Sequence, residues 1–188
     1  VKNEKERIRR EVLALRRALT LSEATSLSAA IAAQVWTLDE VKRATVLLSY
    51  VDSKDQEVQT RPLIRTALAE GREVLVPISE SSGEMTWSRL RSLEDLSPGR
   101  YGILEPRTTV QAYRVLPSGI PCLVPGIAFS RTCQRIGYGF GYFDRFLSKN
   151  DVVAIGLAYG FQVRATLPVD ARDVDLARVV TETDIYRP

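Results

Sequence analysis

The chain has no histidine in 188 residues. Ser-His-Asp and Cys-His catalysis are therefore excluded, and so is any metal held by imidazole. Chemistry must rest on carboxylates, Lys, Arg, Tyr, backbone amides or a bound ion. Cysteine is scarce too: Cys122 and Cys133 lack the spacing of a zinc site or a CxxC motif, and nothing local favours a disulfide between them. No run of about 18 apolar residues occurs, so no membrane span is expected. The opening "VKNEKERIRREV" is charged where a signal peptide would be apolar. A soluble cytoplasmic protein with no membrane partner is expected. Repeats, low-complexity tracts and linkers rich in Gly, Ser or Pro are missing, so residues 1–188 are expected to form a single domain. Charge of one sign is not in excess: 26 Lys and Arg against 23 Asp and Glu leave a net charge of +3. The basic residues are interspersed with acids, which argues against nucleic acid and suits an anionic small molecule.

What is present has the pattern of an α/β chain. Ile8, Val12, Leu15 and Leu19 recur at spacings of four, three and four, the stripe of an amphipathic helix. Thr20 with Glu23 three residues on predicts a capping box that opens a second helix through "ATSLSAAIAAQVWTL". "ATVLLSYV" reads as a buried strand, "TRPLIRTALAEG" as a helix closed by Gly71, and "EVLVPI" as a second buried strand. That order predicts a βαβ unit and a parallel sheet. "EMTWSRL" alternates as an exposed or edge strand does, whereas "LSPGRYGILEPR" has the composition of a loop. "PCLVPGIAF" supplies a third buried strand, bent or stopped at Pro125-Gly126. "YFDRFLSK" follows as a helix, "VVAIGLAY" as a fourth strand and "RVVTET" as the last. The expected architecture is one α/β sandwich.

Before the helix "YFDRFL" stands "RIGYGFG", in which Gly137, Gly139 and Gly141 alternate with Tyr138 and Phe140. Glycines permit positive φ and close approach, so successive amides can address one anion, and the following helix adds its dipole. Arg135 stands beside the loop and could pair with phosphate through two donors. A turn that merely reverses the chain uses the same glycines, so the pattern leaves both readings open. Asp144 could cap the helix or, beside a polyphosphate, hold Mg²⁺. Lys5 and Arg9, four apart, share a helix face that is either solvated or turned to phosphate. Glu57 alone reads as a loop carboxylate.

The stretch Val124 to Leu147, "VPGIAFSRTCQRIGYGFGYFDRFL", resembles the signature of the 5-formyltetrahydrofolate cyclo-ligase (methenyltetrahydrofolate synthetase) family. There VPG leads through AFD-R-x-G-x-R-LG-x-G-x-GYYDR. "KERIR", "SKDQEVQT", "YGILEP" and "LPVDARDVDLARVVTE" also fit in order, so the resemblance spans essentially the whole chain. Ser130 stands for the aspartate of AFD, Cys133 for a glycine, Phe143 for the second tyrosine, and Arg172 for a histidine often found before the late aspartate. The resemblance implies a three-layer α/β sandwich similar to the NagB/ribose-phosphate isomerase group, with a central, mostly parallel sheet and helices on both faces. It implies an enzyme that uses ATP and Mg²⁺ to convert 5-formyltetrahydrofolate into 5,10-methenyltetrahydrofolate, releasing ADP and phosphate; a monomer is expected. In that reaction the formyl oxygen attacks the γ-phosphate, N10 attacks the resulting phosphorylated imidate, and phosphate leaves.

The resemblance also implies roles. Lys5, Arg9, Arg135, Gly137, Tyr138, Gly139, Phe140, Gly141, Tyr142 and Phe143 would bind ATP, with Arg135 and Tyr142 catalytic. Tyr50, Glu57, Tyr138 and Tyr142 would bind the folate, and Asp144 and Asp173 the Mg²⁺. Glu105 would have a structural or ligand role. No strong base is needed, because such transfer is positioning plus charge stabilisation. Two other classes stay open: a divergent member that uses ATP on another substrate, and a non-catalytic nucleotide- or folate-binding protein.

Overall fold

The computed structural model of the chain describes residues 1–99, 102–110 and 115–188. Helix α1 (Lys2–Ala18) is followed by α2 (Leu21–Val35) and a single turn, α3 (Asp39–Lys42). The capping box forms as expected: the Thr20 hydroxyl accepts from the Glu23 amide, and the Glu23 carboxylate accepts from the Thr20 amide. Strand β1 (Val46–Ser49), helix α4 (Arg61–Ala69) and strand β2 (Glu73–Ser79) make the βαβ unit, with β1 and β2 parallel. Asp52, from the loop after β1, accepts from the amides of Thr60 and Arg61 at 2.8 and 3.0 Å and satisfies the start of α4.

Strand β3 (Met85–Leu90) pairs antiparallel with β2 at the sheet edge, as its alternation predicts. The stretch expected to be a loop instead carries a small ladder, β4 (Leu96–Pro98) against β5 (Leu104–Pro106). Strands of three residues are too short to show a period, and the Pro and Gly between them dominate the composition. Arg100 and Tyr101 of that stretch lie outside the described residues. Strand β6 (Ile120–Val124) is wholly buried and stops at Pro125-Gly126, as expected. The glycine loop does not follow it directly. A hairpin of β7 (Ala128–Ser130) and β8 (Arg135–Ile136) intervenes, and the loop leaves from β8. Then come α5 (Tyr142–Leu147), β9 (Val152–Leu157), β10 (Val163–Arg164), which pairs with β7, and β11 (Arg178–Val180). Beyond the strand expected to be last, β12 (Ile185–Tyr186) adds an antiparallel edge.

The large sheet runs β12-β11-β9-β6-β1-β2-β3, parallel across its inner strands and antiparallel at both edges. Successive side chains alternate between two cores. Leu47, Val74, Val76, Leu123, Ile155 and Val180 meet α2 and α4 through Ile31, Val35, Leu63 and Ile64. Leu48, Leu75, Cys122, Val124, Ala154 and Val179 meet Phe129, Phe146 and Leu147 from the hairpin and α5. Burial on both faces explains the unbroken apolar runs of these strands.

Helix α1 packs on neither face of the large sheet. Ile8 and Val12 rest on Ile127, Ala128, Ile136 and Leu167 of the small sheet and its flanks. The buried positions of α1 are Lys5, Ile8, Val12 and Arg16, while Leu15, expected in the apolar stripe, is 47% exposed. The helix is turned so that two basic side chains share the inner face with two aliphatic ones. The surface beneath it offers carboxylates and loop carbonyls as well as hydrocarbon. Accordingly, Ile8→Ala is expected to cost about 2–5 kcal/mol in urea unfolding, and Leu15→Ala to stay within about 0.5 kcal/mol. Equal losses would restore the stripe predicted from spacing.

Candidate active site

A cavity of about 920 Å³ opens where α1, the loops after β1 and β8, and the segment before β11 converge. It lies beyond the carboxyl ends of β1 and β2, the usual ligand position in open α/β sheets. Lys5, Arg9, Tyr50, Glu57, Arg135, Gly137 through Phe143, Asp144 and Asp173 all line it. Every residue expected in the site is thus brought to one place. Glu105 is not among them: its carboxylate accepts from the Ser79 amide at 3.1 Å, a structural contact that secures the β4–β5 ladder against β2.

One side of the cavity is basic, and each cation is held by an acceptor from elsewhere in the chain. The Lys5 ammonium sits 2.9 Å from Asp170 and also bonds Asp173. Burial disfavours its charge, yet the bonds to Asp173 and Asp170 raise its pKa above the ordinary lysine value. Asp170, bonded by Lys5 and by the Arg172 amide, is pulled down to about 2. Arg9 donates from Nε to the Gly137 carbonyl at 2.8 Å and pairs with Glu6. The shared face of Lys5 and Arg9 is therefore turned inward rather than solvated. Arg135, buried, donates to Asp144 at 2.8 Å and to the Pro125 carbonyl at 3.2 Å, with its guanidinium 5.8 Å from the Phe143 ring centroid. Asp144 serves this pair; the start of α5 carries no side-chain cap. The chain enters the helix through Gly141, at φ +70°, a conformation glycine adopts without strain. At Gly137 the constraint is different: a Cβ there would lie 2.6 Å from Arg135 Nη1 and would push the guanidinium aside.

The other side is aromatic and acidic. Glu57 is buried, and burial raises its carboxyl pKa while Arg16 and Lys54 and the Ser53 amide temper the rise. Tyr50 donates to the Val58 carbonyl at 2.8 Å, and Tyr159 to the Glu57 carbonyl at 3.2 Å. Burial pushes both phenols up. Between the two sides lies Tyr138, with the Lys54 ammonium 4.5 Å from its ring centroid. Its hydroxyl accepts from Arg16 at 2.8 Å and donates to Asp55 at 3.2 Å. Arg16, Lys54, Asp55 and Asp170 were missed from sequence. Arg16 was detectable in principle, since Lys5, Ile8, Val12 and Arg16 follow one helix face at spacings of three, four and four.

The departures from the cyclo-ligase signature separate in space. Ser130 and Cys133 belong to the β7–β8 hairpin, where Ser130 Oγ accepts from the Gln134 amide at 3.0 Å and Cys133 adopts φ +63°. Neither lines the cavity, whereas Phe143 and Arg172 do.

The sequence pattern of the 5-formyltetrahydrofolate cyclo-ligase family matches residues 1–182. A probable 5-formyltetrahydrofolate cyclo-ligase of Schizosaccharomyces pombe is 30% identical over 86% of this chain and 87% of its own. The 5-formyltetrahydrofolate cyclo-ligase of Escherichia coli K12 is 28% identical over 91% and 96%. Among solved structures, the 5,10-methenyltetrahydrofolate synthetase of Aquifex aeolicus superposes with a TM-score of 0.82 at 34% identity, covering 97% of this chain and 92% of that one. The resemblance first seen around the glycine loop thus extends through sequence and fold alike, and the chain belongs to the 5-formyltetrahydrofolate cyclo-ligase family.

Proposed function

We propose that the chain converts 5-formyltetrahydrofolate into 5,10-methenyltetrahydrofolate, with ATP cleaved to ADP and phosphate. The observation that carries this reading is one cavity with two chemically distinct sides, basic at Lys5, Arg9 and Arg135, and acidic and aromatic at Glu57 and Tyr50, with Tyr138 between them. The basic side suits a polyphosphate. A carboxylate suits a pterin, whose amino and ring N–H groups are donors. In this reading Tyr142 and the rest of Gly137–Phe143 wrap the nucleotide, and Arg135 faces the transferred phosphoryl group. The formyl oxygen attacks the γ-phosphate, N10 closes on the phosphorylated imidate, and phosphate leaves. The chain's part is to orient the reactants and neutralise charge, which a protein without histidine can do.

Magnesium fits the residues present. Asp144 and Asp173 are hard oxygen donors on the same cavity, and this ion needs only one or two carboxylates beside phosphate oxygens. No group of three His, Cys, Asp or Glu side chains gathers among the described residues, so nucleotide oxygens would complete the shell. When bound it would neutralise phosphate charge. Asp144 and Asp173 now face Arg135 and Lys5, so nucleotide entry exchanges carboxylate partners for phosphate ones. The same reading takes residues 1–188 as one cyclo-ligase domain of the NagB/ribose-phosphate isomerase type, working as a monomer.

The direct test is methenyl product formation by the purified protein with and without ATP. ATP-dependent product is expected; binding of both ligands without phosphate release would instead favour a non-catalytic binder. For the metal, Asp144→Asn preserves shape and can still accept from Arg135. Its apparent Mg²⁺ requirement should rise roughly 10–100-fold with circular dichroism unchanged; superimposable Mg²⁺ titrations would reject Asp144 as a ligand. Glu57→Gln should show opposite effects on binding and stability. The native state holds the Glu57 proton more tightly than the unfolded chain, so stability falls as pH rises through the raised pKa, and the buried charge remains a penalty above it. Removing that charge should raise the melting temperature at neutral pH, while KM for the folate rises about tenfold or more and KM for ATP changes little. An unchanged folate KM would take Glu57 out of the binding site.

A further inference from the structure

We propose that Arg16 is a positioning residue: it pins the loop that carries Glu57 to the loop that carries Tyr138, and so sets the alignment of the two substrates. This rests on the activity proposed above. Arg16 is 1% exposed, and its guanidinium reaches three segments that the sequence keeps far apart. Nε donates to the Asp55 carbonyl at 2.8 Å, Nη1 to the Gly126 carbonyl at 3.1 Å, and Nη2 to the Tyr138 hydroxyl at 2.8 Å. Asp55 closes the link, since Tyr138 donates to its carboxylate.

With a longer contact from Nη2 to the Lys54 carbonyl, at 3.5 Å, these partners are three carbonyls and a hydroxyl. The carboxylates of Glu57 and Asp55 lie close enough to offset part of its charge, but a buried guanidinium bonded directly to neutral acceptors is still costly to hold, and an aliphatic residue at the same helix position would fill the space at lower cost. The charge therefore has a use beyond packing. The loop it grips is strained: Asp55 and Gln56 adopt φ +52° and +50°, which side-chain-bearing residues rarely take, immediately before Glu57. The two loops also spring from different sheets, one from β1 and the other from β8. In the proposed reaction one loop holds the folate and the other the nucleotide. The attacking oxygen must come within about 3–3.5 Å of phosphorus, and a misplacement of about 1 Å lowers the rate about 100-fold. Loosening the pin leaves each ligand its own loop but spoils their register.

Arg16→Lys keeps the charge and loses the planar fork. Tyr138→Phe keeps the ring and loses the hydroxyl, and it carries the test if the lysine variant does not fold. Either change is expected to lower kcat about 100-fold with both KM values within about threefold, and the double variant should be no worse than the poorer single one. Amide hydrogen exchange, read without any substrate, should quicken in both 53–57 and 137–140 while β6 stays protected. That readout stands even if the wild-type protein forms no methenyl product, an outcome that would sink the proposed function instead. Unchanged exchange in either loop overturns the pin. So does an intact kcat, a loss confined to one KM, or multiplicative losses in the double variant.

Discussion

A guanidinium taken out of water must be met by acceptors around its whole edge. At Arg16 this requirement is satisfied only where α1 lies across the loops after β1, β6 and β8 together. The unusual face of α1 follows from it. Ile8 and Val12 supply the hydrocarbon contact, while Lys5 and Arg16, a turn away on either side, bring charge into the interior. Leu15 is displaced outward as a consequence. The helix thus acts as a polar clamp over the cavity more than as a cover for a sheet.

The same economy of charge runs through the basic side of the cavity. Lys5, Arg9 and Arg135 would repel one another in a low-dielectric cleft if left bare. Each is paired within the chain, with Asp170 and Asp173, Glu6, and Asp144 respectively. These pairs hold the side chains in place, which in the proposed reaction reduces reorganisation when phosphate replaces carboxylate. In the proposed reaction the released carboxylates are then in position for a divalent cation. The buried Glu57 on the far side is the counterpart: its charge is disfavoured by burial and offset by Arg16, Lys54 and the Ser53 amide.

The signature departures take on different weights once located. Ser130 ends β7 and Cys133 sits in the turn of the β7–β8 hairpin, where Ser130 Oγ satisfies the Gln134 amide. They bear on how the glycine loop is launched and not on the cavity surface. Arg172 lies on the cavity with a side chain 91% exposed, beside Asp170. It is the substitution placed to alter contacts at the entrance.

Local chemistry made much of the protein legible in the sequence. The capping box at Thr20, Gly71 after α4, the stop at Pro125-Gly126 and the buried runs of β1, β2, β6 and β9 each depend on neighbours a few residues away. The cavity-lining residues around the glycine loop were legible for another reason, a dense motif whose order carries over from the family. Where the outcome depended on distant partners, spacing was insufficient. Leu15 fits a stripe as well as Arg16 does until the surface beneath α1 is known to contain the carbonyls of Asp55 and Gly126. Asp144 could equally have capped a helix until Arg135 was found beside it. The β4–β5 ladder and β12 were too short to impose a period. The sequence by itself thus determined the main helices and buried strands and which residues could do chemistry, because those choices are local. The tertiary structure alone decided which charges are buried and what they hold, because a buried charge is stable only where remote segments supply its partners.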